Sequence, residues 1–183
     1  MRLALFTVGV CGMIVAIAIG AVAQQPAQEL AEPLKLFAPY IGKTWKGILN
    51  DDSGAVSAPM YDVARWERAL NGNAIRIVHS VGDGVYGGES IIFWDPEKKV
   101  LGSWYFTTAG FRTEGTMKLE DGKWIGQDKV IGEGSGITEV KSVTEFLPDG
   151  RMHTKARFLK NGQWEPGHEI TYKEAPEAQV VFK

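Results

Sequence analysis

The sequence contains very little cysteine and histidine, and this scarcity excludes several kinds of chemistry. Its 183 residues include one cysteine and three histidines. A lone cysteine, Cys11, cannot form a disulfide within the chain. The histidines occur without an H-x-x-H spacing or a neighbouring carboxylate cluster, so no motif for a metal site is present. We therefore expect no disulfide framework, no protein-built metal site and no cofactor.

Charge clusters and nucleophile motifs are also missing. The net charge is −2, and lysine and arginine form no basic run, so the sequence lacks the electrostatic footprint of a nucleic-acid-binding protein. No serine stands in a G-x-S-x-G motif. The glycine-rich stretch from Gly132 to Gly136 lacks the Lys-Ser/Thr ending of a phosphate-binding loop and precedes a strand. We therefore predict no catalytic residues from motifs alone.

The first 23 residues have the pattern of a cleavable signal peptide. Arg2 precedes an apolar run from Leu3 to Ile19, and the small-x-small sequence Ala21-Val22-Ala23 follows. We predict cleavage after Ala23, export to the periplasm or the medium, and no stable membrane insertion afterwards. An uncleaved membrane anchor is one alternative. A lipid-modified Cys11 is another, although this cysteine lies inside the apolar run and not at its end.

The remainder reads as one domain with short flanking segments. Residues 24–29 form a polar leader, residues 30–175 a folded domain, and residues 176–183 a C-terminal tail. Within the domain, apolar residues first recur at helical spacing: Leu30, Leu34, Phe37 and Ile41. This spacing predicts one short amphipathic helix, bent or broken around Pro33 and Pro39.

Turn signals then recur every 12 to 15 residues, and most are Asn-Gly or Asp-Gly pairs. These pairs tolerate positive φ at both corners of a tight hairpin turn. The segments between them are rich in β-branched and aromatic residues. We predict ten strands, near 44–50, 60–70, 73–81, 87–94, 99–108, 111–120, 123–131, 137–147, 150–160 and 163–173. An even number of antiparallel strands can pair first with last, which favours an all-β, up-and-down barrel; a two-sheet sandwich is the alternative.

The segment LKLFAPYIGKTWKG, at residues 34–47, places a short helix, a glycine and a tryptophan before the first strand. This entry resembles that of lipocalin-like (calycin) barrels. The segments WERALNGNAIRIVHS, IIFWDPEKKVLGSWYFTTAGF and MKLEDGKWIG resemble uncharacterised lipocalin-like domains of exported bacterial proteins. The usual Gly-x-Trp is one residue longer here, and no long C-terminal helix or cysteine pair is present. The resemblance implies that the helix plugs one end against Trp45 and that the lumen binds a small, largely apolar molecule.

Strand alternation assigns side chains to the lumen or to the outer wall. On the third strand Ile75, Ile77, His79 and Val81 share the apolar face, and on the ninth Met152, Thr154, Ala156 and Phe158 do so. His79 on this face predicts either an inert, hydrogen-bonded histidine or an anchor for a ligand's polar group. The candidate ligand-binding residues are Arg65, Ile75, Ile77, His79, Trp94, Tyr105 and Phe158.

Three other polar positions have competing interpretations. Arg65 and Glu67 share a face, as a solvated charge pair or as a pair inside the lumen. His153 falls on the charged outer face. His168 is expected on the rim, at the entrance of the last strand. A related haem-binding barrel family uses a late histidine as its axial ligand, but the rim position leads us to expect that His168 does not bind haem.

These observations predict an exported barrel that binds a small hydrophobic molecule. The alternatives are a calycin-fold isomerase or hydrolase acting on a lipid-like substrate, a haem-binding barrel, and a barrel filled by its own side chains. A His79 or Arg65 that faces a pocket together with a carboxylate would favour the enzyme.

Overall fold

Ten antiparallel strands make up most of the chain. The computed structural model describes residues 29–50 and 59–183, so the predicted signal peptide, Cys11 and most of the leader lie outside the described residues. The strands are β1 (Thr44–Asn50), β2 (Met60–Ala69), β3 (Ala74–Val81), β4 (Tyr86–Asp95), β5 (Val100–Thr107), β6 (Arg112–Glu120), β7 (Lys123–Ile131), β8 (Ile137–Phe146), β9 (Met152–Lys160) and β10 (Gln163–Glu174).

The strands close into one barrel in which each pairs with its sequence neighbours and β1 pairs with β10. The closing seam aligns Trp45 with Glu174 and Leu49 with Ile170, so no strand edge is left unpaired. The all-β, up-and-down barrel prediction is confirmed, and the sandwich alternative is wrong because the first and last strands hydrogen-bond directly.

Two of the Asn-Gly and Asp-Gly pairs form the tight two-residue turns that the sequence predicts. Asp121 and Gly122 have φ of 49° and 77°, and Asn161 and Gly162 have 50° and 82°. Asn71-Gly72 lies instead in a four-residue loop, in which Leu70 also has positive φ. Two consecutive residues with positive φ are the signature of the type I′ turn, whose twist matches that of antiparallel strands. Local sequence therefore sets the reversals that bring neighbouring strands into register.

A 3₁₀ helix, Glu32–Tyr40, precedes the barrel and plugs one end of it. Pro33 stands in the first turn, where a missing N–H costs nothing, and Pro39 lies inside the last turn. Leu34 and Phe37 are fully buried. Trp45 belongs to the same buried cluster, as the resemblance implies.

Aromatic side chains fill the half of the lumen next to this helix, which we call the closed half. Phe37 stacks on Trp124 with ring centroids 4.3 Å apart, and Tyr40 stacks on Phe146 at 3.6 Å. The cluster continues through Trp45, Trp66, Ile75, Ile92, Leu101, Met152, Ile170 and Tyr172. We call the opposite half of the lumen, which lies beyond this packed cluster, the open half.

The C-terminal tail covers part of the outer wall. The backbone N–H of Val181 donates to Ser80 Oγ at 3.1 Å, and the Phe182 ring lies against Gly87. Ser80 points outward in β3, yet only 3% of its surface is exposed. The end of the tail, at Val181 and Phe182, therefore contacts the outside of β3 and β4.

Candidate functional site

A histidine–aspartate pair lies inside the open half of the lumen. His79 comes from the end of β3 and Asp62 from the start of β2. The Nδ1 of His79 is 3.2 Å from Asp62 Oδ1 and 3.1 Å from Oδ2. The Asp62 side chain is 5% exposed and that of His79 18% exposed. The carboxylate therefore fixes the Nδ1–H tautomer and directs Nε2 toward the lumen.

Three tyrosine hydroxyls extend this pair into a network. The Tyr105 hydroxyl lies 2.7 Å from His79 Nε2 and 3.0 Å from the Tyr86 hydroxyl. The Tyr172 hydroxyl donates to Asp62 Oδ2 at 3.1 Å. Burial raises the pKa of Tyr86, Tyr105 and Tyr172 above the usual value of 10.0. All three therefore stay protonated at neutral pH and act as hydrogen-bond donors and acceptors.

His168 completes the cluster from the opposite side of the barrel seam. It follows a β-bulge between Pro166 and Glu169 in β10, and its ring lies 5.6 Å from that of Phe158. Burial lowers the pKa of His168 below 6.5. The charge of Asp62 raises this pKa, and His79 lowers it further. These electrostatic contacts place the imidazole among the inward-facing groups and not on the outer rim.

The His168 side chain is nevertheless exposed. The imidazole therefore combines proximity to inward-facing groups with access to solvent. The expected position at the strand entrance is therefore wrong, because His168 is the sixth residue of β10 and follows the bulge. Its ring is directed into the lumen.

The cluster has two kinds of chemical capacity. A carboxylate-oriented imidazole can exchange a proton through Nε2. The hydroxyls of Tyr105 and Tyr86 continue from Nε2 as a hydrogen-bonded chain. A ligand oxygen or nitrogen near Tyr86 would therefore join a network whose other end is the buried Asp62 carboxylate.

The structure brings together some of the predicted ligand-binding residues. His79 and Tyr105 hydrogen-bond directly, and Phe158 lines the same half beside His168. Ile75 is fully buried, and Ile77 and Trp94 pack against the closed-half core. His79, Tyr105 and Phe158 therefore surround the open half. The other three, Ile75, Ile77 and Trp94, form the floor between it and the closed half.

Arg65 stands apart from these residues. It projects from the outer wall, where its Nε donates to Glu67 Oε1 at 2.9 Å and its side chain is 48% exposed. Arg65 and Glu67 therefore form a solvated charge pair on the outer wall, and not a pair inside the lumen. His153 likewise lies outside the barrel, between Glu145 and Glu169.

Three members of the cluster were not among the candidates from sequence: Asp62, Tyr86 and Tyr172. A signal for Asp62 was present, because it shares strand parity with the inward Ala64 and Trp66. Gly47 makes room for Tyr172, since a Cβ at residue 47 would lie 3.1 Å from the tyrosine ring. Such contacts join β1, β2 and β10, and only barrel closure brings those strands together.

Other features of the described residues do not compete with this cluster. Across residues 29–50 and 59–183, no three His, Cys, Asp or Glu side chains are grouped to hold a metal ion. The same residues contain no helix long and apolar enough to cross a bilayer. Two open depressions, of about 590 and 620 Å³, lie at the Asp149–Arg151 hairpin and on the outer wall around Trp104.

Comparisons with known proteins define the fold but not the ligand. No family model matches the chain, and no curated protein matches it. Among solved structures, the chain is similar to the crystal structure of Rv2717c from M. tuberculosis, with a TM-score of 0.60 and 9% sequence identity. The match covers 80% of this chain and 99% of that one. The chain thus shares a closed antiparallel β-barrel with Rv2717c, at the level of the fold alone.

Proposed function

We propose that this protein is an exported barrel that binds a small molecule in the open half of its lumen. The ligand has a largely apolar body and a group that hydrogen-bonds to the His79–Tyr105–Tyr86 chain. The observation that carries the proposal is the exposed His168 side chain, which indicates accessible space among inward-facing groups. Binding sites of this kind combine apolar walls with a few fixed polar groups.

The division of the lumen supports a small ligand and not a long one. Leu34, Phe37 and Trp124 occupy the closed half with almost no exposed surface. An extended acyl chain would have to displace them, at a cost of several kcal/mol for each buried side chain that it expels. A compact aromatic or alicyclic body fits above this floor.

Titration with 1-naphthalenemethanol tests the proposal, because the emission of the naphthalene ring itself reports transfer from water. Tryptophan emission is a poor reporter for the open half, because Trp45, Trp66 and Trp124 lie in the closed-half core and Trp94 packs against it. We expect saturable binding that weakens about tenfold in His79→Ala and in Tyr105→Phe, which remove one hydrogen bond to the ligand-facing chain. Arg65→Ala on the outer wall is the control and should bind as the wild type does. Absence of saturable binding by this and other compact apolar probes would favour a filled barrel.

An acid–base enzyme is a second candidate, and the His79–Asp62 contact favours it. From the sequence, this alternative is favoured if His79 or Arg65 faces a pocket together with a carboxylate, and Asp62 is a carboxylate that contacts His79. An isomerase would pass a proton from the substrate through the Tyr86 and Tyr105 hydroxyls to Nε2 of His79, with Asp62 stabilising the resulting imidazolium. Deuterium exchange into a bound carbonyl compound, present in wild type and lost in Asp62→Asn, would support it.

Haem binding remains a further alternative because His168 presents an imidazole to the lumen. Burial keeps this imidazole neutral, which is the form that binds iron, and Phe158 lies beside it. Titration with haemin separates the alternatives. A sharp Soret shift that disappears in His168→Ala and survives in His79→Ala would replace our leading proposal with haem binding.

A further inference from the structure

A second carboxylate, that of Asp128, lies in the middle of the lumen and takes no part in the cluster described above. It projects inward from β7, and its Oδ1 accepts a hydrogen bond from Ser103 Oγ at 2.6 Å. Burial raises its pKa above the usual 3.8, against the opposing effect of this bond. Within the described residues its Oδ2 has no hydrogen-bond partner, although an ionised carboxylate offers about four acceptor positions.

The neighbouring residues make room for this carboxylate. A Cβ at Gly115 would lie 2.8 Å from Asp128 Oδ1, and one at Gly126 would lie 3.5 Å from Oδ2 and 2.5 Å from Ser142 Oγ. Both glycines occupy inward positions, in register with Asp128 and Ser142 respectively. The wall of the barrel is therefore built from very small residues around Asp128.

The position of Asp128 also connects it to the ligand-facing tyrosine chain. Ser103, its hydrogen-bond donor, stands two residues before Tyr105 on β5, and both point inward. Residues two apart on a strand are separated by about 7 Å along it. A compact molecule can therefore contact Asp128 with one group and the Tyr105–Tyr86 hydroxyls with another.

The charge of the lumen favours one sign of ligand. Asp62 and Asp128 are carboxylates on its inward face. By strand parity Lys160 shares the inward face of β9 with Phe158, and Glu165 of β10 is in register with Phe158, so a cation and an anion offset each other at these strand ends. Arg76 projects outward and pairs with Glu67 and Glu89 on the wall. Arg68 is the inward arginine of these strands, and it lies at the closed end, beside Gly72.

We propose that the open half of the lumen selects organic cations, with Asp128 as the counter-ion of a ligand ammonium group. The proposal rests on the proposed binding function and names its ligand class. An ammonium group would supply donors to the unused Oδ2, and its charge would offset that of a carboxylate that forms no ion pair among residues 29–50 and 59–183. The faces of Tyr86, Tyr105 and Phe158 add cation–π attraction on the path to Asp128. An anionic ligand would instead face two carboxylates.

Three probes with one naphthalene body separate charge from shape: 1-naphthylmethylamine, 1-naphthalenemethanol and 1-naphthoate. In calorimetric titrations at pH 7, we expect the amine to bind at least about tenfold more tightly than the alcohol and the anion most weakly. In Asp128→Asn the amine should fall to the affinity of the alcohol, while the alcohol is unaffected. Asp128→Ala serves as a second variant if the amide alters folding.

Glu139→Gln is the matched control, because Glu139 lies on the outer wall where Gln127 donates to it at 3.4 Å. This variant removes the same charge and should preserve the preference for the amine. Equal affinities of amine and alcohol in wild type would overturn the inference, as would a preference that survives Asp128→Asn. Binding of the alcohol in those cases would leave the proposed function intact, whereas failure of all three probes would overturn both.

Discussion

Replacement of Trp45 tests the division of the lumen into a packed closed half and an open half. Trp45 is 2% exposed, and its ring lies 5.9 Å from that of Phe146 in an edge-to-face arrangement. Truncation to alanine removes this buried ring and leaves a cavity, so we expect a loss of about 3–5 kcal/mol in the free energy of unfolding. With a denaturant slope of about 2 kcal/mol/M, the urea midpoint should fall by about 2 M.

Two further variants identify the source of that loss. The indole Nε1 of Trp45 is buried without a hydrogen-bond partner in the described residues, so Trp45→Phe sacrifices no hydrogen bond and should cost much less than Trp45→Ala. Trp164 lies on the outer wall under the Lys141 ammonium group, 4.5 Å from the ring centroid. Trp164→Ala should cost less than about 2 kcal/mol.

The binding readout completes this test. Folded Trp45→Ala protein should bind 1-naphthalenemethanol with wild-type affinity, because Trp45 packs below the open half. Equal destabilisation by Trp45→Ala and Trp164→Ala would refute the packed core at this end. Loss of probe binding in a folded Trp45→Ala variant would show that the two halves are not separate.

Three other outcomes are expected. Because the pKa of His168 is lowered in the folded protein, the unfolded chain binds a proton at this residue more strongly, and the free energy of unfolding should fall as pH drops through about 6.5. Urea midpoints measured between about pH 5 and 7.5 should therefore depend less on pH in His168→Gln than in wild type. An unchanged dependence would contradict this expectation. Chelators should leave the β-type circular dichroism of the mature domain unchanged, because the described residues contain no group of side chains placed to hold a metal ion; loss of the signal would contradict this expectation. N-terminal sequencing of exported protein should begin at Gln24, whereas retained Met1 or lipid on Cys11 would refute cleavage after Ala23.

The strand pattern was accessible from sequence because its causes are local. Pairs such as Asp121-Gly122 tolerate positive φ at both residues, so they mark a reversal without reference to the rest of the fold. Alternation on β9 likewise predicted that Met152 and Ala156 face inward, and both are buried. Burial of Ser80 on the outer face was not predictable in this way, since the C-terminal tail that covers it lies about 100 residues away in sequence.

The candidate site depends on contacts between residues that are distant in sequence. The parity of β3 directed His79 inward, but parity does not identify a partner. Asp62 and Tyr172 reach the same point only because β1 pairs with both β2 and β10, and the hydrogen bond between them joins residues 110 positions apart. The bulge between Pro166 and Glu169 then fixed the direction of His168.

Sequence alone determined the strands, the turns, the plugging helix and the choice of a barrel, because each follows from local conformational preference or from the parity of strand number. The tertiary structure alone decided which half of the lumen is filled and which polar groups meet in the other half. The physical reason is that packing and hydrogen bonding across a closed barrel depend on register and shear, which place side chains from distant strands within a few ångströms of one another.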